Sequence, residues 1–405
     1  MQTPIMLAMS ATSLSNSVAN YCSLLSVNGA NPWTSNATNS QMPIPVAGTF
    51  SNLRIRFPAT GSGTYAVTIQ KNGSDTALTC TVNLASTSTA SDLTHSFTVA
   101  AGDLVQIKVT PTSTPTAQTV VQISMLFTAT TSGESVLFGG TRSTTSSSTL
   151  YYSFGSAGAG SATAANTSMV CSTAGVIDKL YVNLSTAPTA GNSYAVEVFK
   201  NGSATGVTCT ISDTATTGSD LTNTVSVSQG DLITVKQTPT GTPAAMALRA
   251  GVRFTPTTNG ESMLGCFFST VPTANVDRFI AVSGSSGDVS DETLVYNLAP
   301  VAFTAKKMAL SLGTGPGGGT RTRSVWLRQG TGSQSDTSLT CTCTDTATTA
   351  NDNSNTVSVA ADDLIDIRTN SSASATSPSN MRVGVTAYIA PAATSAPNLL
   401  LLGVG

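Results

Sequence analysis

The sequence carries little charge and a single histidine. Lys and Arg total 18 and Asp and Glu total 20 among 405 residues, for a formal net charge of -2. With no Lys/Arg cluster, this balance predicts that the chain binds no nucleic acid, because phosphate backbones are recognised by concentrated positive charge. The lone His95 argues against Ser-His-Asp triads, HExxH zinc sites and histidine-based proton shuttles.

Long hydrophobic runs are also missing. No apolar stretch approaches the twenty residues that a membrane helix needs, so we expect no membrane partner. The first residues, Met-Gln-Thr-Pro-Ile-Met-Leu, lack the basic and apolar regions of a secretory signal. The chain has seven cysteines, which is an odd number. A disulfide in every copy of the repeat described below would need a second cysteine at an equivalent position, and Cys22, Cys171 and Cys266 are not at equivalent positions. The cysteines are therefore expected to be buried free thiols.

The chain contains three copies of one pattern. Cys80, Cys209 and Cys341 recur at intervals of 129 and 132 residues. In each copy an alternating strand follows and leads into a turn, namely Gly102-Asp103-Leu104, Gly230-Asp231-Leu232 and Asp362-Asp363-Leu364. This period is close to the usual domain size and far beyond a solenoid unit. We predict domains at 1–131, 132–258 and 259–392, with a C-terminal segment at 393–405.

Each copy is predicted to be a β-sandwich of eight strands. In the second copy the candidate strands are Val136–Phe138, Leu150–Phe154, Leu180–Leu184, Tyr194–Lys200, Gly206–Ile211, Asn223–Val227, Leu232–Lys236 and Ala247–Phe254. Alternating apolar and polar residues indicate sheets buried on one face. The Asn-Gly pairs at 72–73 and 201–202 favour tight type I′ hairpins, whereas the third copy has Gln329-Gly330 and added residues, which predict a longer loop. Short strands at this density favour an all-β jelly roll made of two Greek keys.

The order of these motifs resembles the jelly rolls of the C1q and tumour-necrosis-factor type, and the related modules of bacteriophage decoration and fibre proteins. The resemblance rests on the mid-domain Asn-Gly hairpin, the Gly-Asp-Leu turn that opens the penultimate strand, and an apolar last strand. It implies modules that pack as trimers. Three modules fused in one chain would then form an intrachain pseudo-trimer, although a linear array of three domains fits the sequence equally well.

The C-terminus offers a candidate assembly segment. Leu399, Leu400, Leu401 and Leu402 follow Pro397-Asn398 and resemble the apolar segments that open each copy at Ile5, Val136 and Met263. A free strand of this composition would invite aggregation. We therefore expect these four leucines to pair as a strand, either within the chain or with a neighbouring subunit.

Other motifs that suggest chemistry have simpler interpretations. The sequence Gly313-Thr314-Gly315-Pro316-Gly317-Gly318 matches GxGxxG, but a strand rather than a helix is expected after it, which favours a surface loop. Asp213, Asp220, Asp345 and Asp352, with Asp92 in the first copy, could hold calcium but more simply form turns. Trp326 aligns with Val198, which predicts a core position. We predict no catalytic residue, no metal and no cofactor.

These features favour a non-enzymatic structural protein of a virion surface. The leading hypothesis is a bacteriophage capsid-decorating (cement) protein, made in the host cytoplasm and bound to the major capsid protein or other virion structural subunits, with self-association through the C-terminal strand. Two alternatives remain open at this point. One is a receptor- or glycan-binding tail or fibre protein, and the other is a bacterial surface adhesin or filament subunit. Fold alone does not decide among them.

Overall fold

A computed structural model describes residues 1–10, 12–27, 31–141, 148–158, 160–268, 275–286 and 289–392. Within these ranges the chain is built of strands and three short 3₁₀ helices, and none of its helices has the length and apolar character of a membrane span. The predicted all-β, jelly-roll class is confirmed. The C-terminal residues Leu399 to Leu402 lie outside the described residues, so their pairing stays a prediction.

The strands form three sandwiches in chain order. Sandwich 1 comprises β1 to β9: Gln2–Ser10, Asn20–Cys22, Met42–Pro43, Gly48–Arg56, Thr64–Lys71, Ser74–Asn83, Thr89–Val99, Leu104–Thr112 and Val120–Ala129. Sandwich 2 comprises β10 to β19: Ser135–Thr141, Leu150–Tyr152, Ala157–Gly158, Met169–Val170, Gly175–Leu184, Thr189–Lys200, Ser203–Asp213, Thr217–Val227, Leu232–Thr240 and Leu248–Pro256. Sandwich 3 comprises β20 to β29: Glu261–Phe268, Arg278–Ile280, Gly284–Ser286, Asn297–Leu298, Phe303–Leu312, Thr322–Gly330, Ser335–Thr344, Thr349–Val359, Leu364–Ser371 and Met381–Tyr388.

Each sandwich has the same strand order. In sandwich 1 the two sheets are β1-β9-β4-β7 and β2-β8-β5-β6, with β3 added on β8. Sandwiches 2 and 3 repeat this order as β10-β19-β14-β17 with β11-β18-β15-β16, and as β20-β29-β24-β27 with β21-β28-β25-β26. The two-residue strands and the short parallel additions are left out of this comparison. The remaining consecutive strands alternate between the two sheets, except for the hairpins β5-β6, β15-β16 and β25-β26, and this is the order of a jelly roll.

The turn chemistry matches the sequence. Asn72 and Gly73 both have positive φ (50° and 84°), as do Asn201 and Gly202 (51° and 79°), as a type I′ hairpin requires. The third copy replaces this turn with a longer loop between Gly330 and Ser335, as predicted. Gln329, rather than Arg328, takes the place of Lys71 and Lys200, because Gln329 pairs with the first residue of the next strand as those lysines do.

The equivalent strands β4, β14 and β24 contain a bulge at the same place. Asn52, Lys179 and Lys307 have φ of 54°, 48° and 52°, and the pairing register shifts at each of them. An extra residue in one strand breaks the two-residue alternation. For this reason the sequence predicts only Leu180–Leu184 of a strand that begins at Gly175.

Candidate functional site

The opening strands of the three sandwiches meet at the centre of the molecule. Every described side chain of β1, β10 and β20 is buried except that of Gln2, which is half-buried. The hydroxyls of Thr3 and Ser135 are 3.0 Å apart, and the hydroxyl of Ser262 donates to the carbonyl of Gln2 at 3.3 Å. A cavity of about 50 Å³ remains between these strands.

Alternate residues of each opening strand pack into a neighbouring sandwich. Val136 and Phe138 of sandwich 2 belong to the core cluster of sandwich 1, and Met263 of sandwich 3 belongs to that of sandwich 2. Met6 of sandwich 1 belongs to the core cluster of sandwich 3, so each sandwich core contains residues of another sandwich. Strands buried on both faces are expected to be apolar at consecutive positions, which explains why these segments do not alternate. The three sandwiches therefore form a closed ring and not a linear array.

Buried arginines link sandwiches 2 and 3 to the 3₁₀ helix of the sandwich before them. Arg249 on β19 donates to the carbonyl of Asn39 at 2.5 Å, within the 3₁₀ helix Ala37–Ser40 of sandwich 1. Arg382 on β29 donates in the same way to the carbonyl of Ala165, within the 3₁₀ helix Ala164–Asn166 of sandwich 2. Because a 3₁₀ helix leaves its last carbonyls without partners, a guanidinium is a suitable donor for them.

These two interfaces also depend on glycine. A Cβ added at Gly251 would lie 2.3 Å from the carbonyl oxygen of Pro43, and one added at Gly384 would lie 2.5 Å from that of Val170. Both distances are far below van der Waals contact, so the backbones approach one another only because the side chains are absent. The equivalent residue of sandwich 1 is Ser124, which indicates that its interface with sandwich 3 is built differently.

The contact between sandwiches 3 and 1, which we call the closing interface, uses other residues. The position of Arg249 and Arg382 is taken by Gln122, and the guanidiniums come from β4 instead. Arg54 donates to the carbonyl of Pro300 at 2.9 Å and forms an ion pair with Asp362. Arg56 donates to the side chain of Gln122 at 3.3 Å. An ion pair between two sandwiches, Arg54 with Asp362, thus contributes to closing the ring.

A second charged cluster lies between sandwiches 2 and 3. Glu261 is fully buried and accepts hydrogen bonds from the hydroxyl of Thr173 at 2.5 Å and from Lys307 at 2.9 Å. Lys306 lies 2.9 Å from its other oxygen. Burial alone would raise the pKa of Glu261, but these donors lower it below its usual value. The charge of Glu261 is thus balanced by two lysines of its own sandwich, and Thr173 links this cluster to sandwich 2.

The outer face of sandwich 3 corrects one sequence prediction. Trp326 was expected in the core, but it is half-buried on the outward face of β25, opposite Arg368, whose guanidinium carbon lies 4.3 Å from the ring centroid. The error arose from the alignment: with Gln329 in the place of Lys200, Trp326 corresponds to the half-buried Glu197 and not to Val198.

A buried carboxylate lies beside this tryptophan. Asp366 faces Arg328 across the strand pair, is fully buried, and has no hydrogen-bond partner for either oxygen among the described residues. Arg328 instead donates to Glu292 at 2.7 Å and to the carbonyl of Gln334 at 2.5 Å. Burial, and secondarily the negative charge of Glu292, raises the pKa of Asp366 well above its usual value. The equivalent residues, Gln106 and Thr234, each donate a hydrogen bond at 2.7 Å.

The aspartates considered for calcium bind the backbone. Asp220 accepts hydrogen bonds from the N–H groups of Thr208, Thr222 and Asn223, at 2.9 to 3.1 Å, and Asp92 and Asp352 make the equivalent contacts. Asp213 and Asp345 bind different loops, accepting from the N–H groups of Gly191 and Thr320. Within the described ranges, no three His, Cys, Asp or Glu side chains converge as metal ligands would. The turn interpretation accounts for these residues.

The remaining motifs have structural roles. All seven cysteines are buried free thiols, as predicted, and burial raises the pKa of Cys80, Cys209 and Cys341 to about 12. Such thiols are poor nucleophiles at neutral pH. His95 is exposed and lies 3.0 Å from Asp92. A strand, β25, follows the GxGxxG loop, which excludes the helix that a dinucleotide site requires.

No model of a known protein family matches this chain, and no curated protein sequence matches it.

Proposed function

We propose that the chain is a non-enzymatic structural protein of a virion surface, and that it decorates a bacteriophage capsid. The observation that carries the proposal is the closed ring of three jelly rolls in one chain. A ring with approximate threefold shape presents three similar faces, and such a body suits a threefold or quasi-threefold position of a capsid lattice. The strand order within each sandwich supports the resemblance to jelly rolls that pack as trimers.

The surface chemistry supports the same proposal. The outward strands β6, β16 and β26 expose alternating Thr and Ser hydroxyls over a buried apolar face. Leu93 and Leu221 are 51% and 56% exposed and occupy equivalent positions of β7 and β17, so two of the three sandwiches present the same apolar side chain at the same place. We propose major capsid protein or other virion structural subunits as the partners of these faces, with Leu399 to Leu402 as a further strand for self-association.

The proposal is tested on particles produced by the source culture. Antibody raised against the purified chain should detect it at the density of intact virions, in a fixed ratio to the major structural protein. Particles from which the chain has been dissociated should bind the purified chain again, to the same ratio. Recovery of the chain only in the soluble or the cell-envelope fraction would contradict a virion role.

One observation favours glycan binding as a second candidate function. Trp326 is half-buried on an outer face, beside Arg368 and the carboxylates of Asp277 and Asp336, with Arg368 Nη1 3.1 Å from Asp277. Aromatic rings beside charged hydrogen-bonding groups are suited to sugars. A glycan array probed with the whole chain and with Trp326→Ala distinguishes the two: hits that the variant loses support a receptor-binding protein, and an array with no hits supports the structural role.

A further inference from the structure

The closing interface contains a cleft that the ring contacts do not fill. Its volume is about 480 Å³, and residues of both sandwich 1 and sandwich 3 line it. The lining residues include Arg54 and Arg56, the hydroxyl-bearing Thr89, Ser91 and Thr331, the acidic Asp362, which pairs with Arg54, and the apolar Leu298. This volume lies in the range of small-molecule sites, about 300 to 1,000 Å³.

The two arginines of the cleft differ in what they bind. Arg54 is occupied, since it donates to the carbonyl of Pro300 and pairs with Asp362. Arg56 donates only a 3.3 Å hydrogen bond, to the neutral side chain of Gln122, and it has no carboxylate partner within the part of the chain that the structure describes. Burial lowers the pKa of Arg56. A partly desolvated guanidinium without a counter-charge is costly unless an anion accompanies it.

Unsatisfied polar atoms accompany Arg56. Gln122 is fully buried and its amide nitrogen has no hydrogen-bond partner, and the same holds for the hydroxyl of the fully buried Ser124, as far as the described residues extend. Buried donors in folded proteins nearly always have partners. Gln122 and Ser124 are not among the residues that line the cleft, so Arg56, which lines it and donates to Gln122, is the member of this group that is placed to contact a ligand.

The equivalent residues at the other two interfaces do not repeat this arrangement. The residues equivalent to Arg54 and Arg56 are Tyr181 and Asn183 in sandwich 2, and Ala309 and Ser311 in sandwich 3. Asn183 donates to the carbonyl of Gln41 at 3.1 Å and so contributes to the ring contact itself. Two of the three interfaces form without a pair of arginines at this position. The pair is therefore not required for closing the ring.

We propose that the cleft between sandwiches 1 and 3 binds a sugar that carries a carboxylate, with Arg56 binding the carboxylate. A guanidinium and a carboxylate form two parallel hydrogen bonds, so Arg56 suits this group better than a lysine would. The hydroxyls of Thr89, Ser91 and Thr331 match the hydroxyls of a pyranose ring, and Leu298 offers an apolar surface to its carbon face. The proposal holds whether or not the chain decorates a capsid.

The test uses the whole chain and three probes, with affinities measured by titration calorimetry or ligand-observed NMR at low salt. Glucuronate should bind at least about 10-fold more tightly than glucose, which lacks the carboxylate, and than acetate, which lacks the sugar. Equal binding of acetate and glucuronate would show a site for the anion alone, and absence of glucuronate binding would show no site. Either result overturns the proposal.

Variants locate the binding. Arg56→Gln should weaken glucuronate binding by about 10-fold or more, whereas Lys108→Gln, with the same change of net charge on the opposite sheet of sandwich 1, should leave it unchanged. Small-angle scattering establishes whether the Arg56 variant keeps the ring closed. If it does not, Thr331→Val removes a cleft hydroxyl without touching the arginines, and it should weaken glucuronate and leave acetate unaffected. Binding that neither substitution alters lies elsewhere and refutes the assignment.

Discussion

Single residues set the differences among three sandwiches that share one topology. The position of Asp366 illustrates this, because its equivalents Gln106 and Thr234 are neutral and hydrogen-bonded, whereas Asp366 is a buried acid without a partner in the described residues. Its pKa is raised in the folded state, so the folded chain retains a proton that the unfolded chain releases near pH 3.8. Stability from this group is therefore present at low pH and is lost as pH rises from there toward the folded pKa.

We predict that Asp366→Asn stabilises sandwich 3 at neutral pH. The asparagine side chain is uncharged at every pH. The free energy of unfolding of the variant should therefore exceed that of the natural chain by about 1 to 3 kcal/mol at pH 7 and differ little from it near pH 3. Urea unfolding followed by fluorescence in a Trp33→Phe background reports on sandwich 3 through Trp326. Asp352→Asn, also in sandwich 3, is the control of opposite sign, since burial alone would raise the pKa of Asp352 but hydrogen bonds from Asn355 and the backbone lower it. An Asp366 variant that is less stable at pH 7 would refute the assignment.

Asp362 shows a balance between backbone strain and charge. It has φ of 70° where Gly102 and Gly230 have 91° and 92°, a region that residues with a Cβ avoid. Its ion pair with Arg54 offsets part of this strain, although the carboxylate is 64% exposed and exposed pairs contribute little.

We therefore predict an order of stability at position 362. Asp362→Gly should unfold within about 1 kcal/mol of the natural chain, whereas Asp362→Ala keeps the strain, loses the ion pair and should be about 1 kcal/mol less stable than the glycine variant. Calorimetric melting temperatures measure the order. Gly230→Ala, which introduces the strain where no ion pair exists, should lose a similar amount. An alanine variant as stable as the glycine variant would mean that strain is unimportant here.

At the scale of elements, a buried aspartate joins two neighbouring strands of each sandwich. Asp220 on β17 binds backbone N–H groups of its own strand and of β16, which lies in the other sheet. Burial alone would raise its pKa, but hydrogen bonds from the Asn223 side chain and the backbone lower it to about 2. Because the folded pKa is depressed, the stability is present above pH 4 and is lost as pH falls through about 2.

Asp220→Ala should lower the free energy of unfolding by about 2 to 4 kcal/mol at pH 7, since three backbone donors lose a charged acceptor. The difference between variant and natural chain should shrink as pH is lowered toward 2. Asp213→Asn is the matched control, because Asp213 is exposed and accepts one backbone hydrogen bond. Equal losses for the two variants would be inconsistent with a special role for the buried aspartate.

The elements that could be predicted from sequence are those with regular alternation. Eight of the ten strands of sandwich 2, all but the two-residue β12 and β13, and both Asn-Gly hairpins were predicted. β17 was predicted only from Asn223, although it begins at Thr217. The inward-facing positions of its first half are Gly218 and the buried Asp220, which are not apolar side chains, so this half has no hydrophobic pattern. The closing interface was missed because Arg54 and Arg56 look like the solvated face of an ordinary strand until sandwich 3 is placed on them.

At the scale of the whole molecule, the ring depends on close backbone approach at two of its three interfaces. Gly384 on β29 has the carbonyl of Val170 where its Cβ would be, and the hydroxyls of Thr386 and Ser172 lie 2.8 Å apart nearby. A side chain at Gly384 cannot be accommodated by a flexible neighbour, since the obstructing atom belongs to the backbone of another sandwich. The strain must then be relieved by separation of the two sandwiches.

We predict that Gly384→Val opens the ring between sandwiches 2 and 3 and leaves each sandwich folded. Valine suits a strand, so circular dichroism should keep the β signature while small-angle scattering shows a larger radius of gyration. Gly332→Val is the matched control, because a Cβ there meets no atom within 4 Å, and it should leave both measurements unchanged. If decoration needs the closed ring, the Gly384 variant should also fail to rebind stripped particles that the Gly332 variant rebinds. A Gly384 variant that stays compact would show that the two sandwiches can shift to accommodate the side chain. Close backbone contact at Gly384 would then not be required for the closed ring.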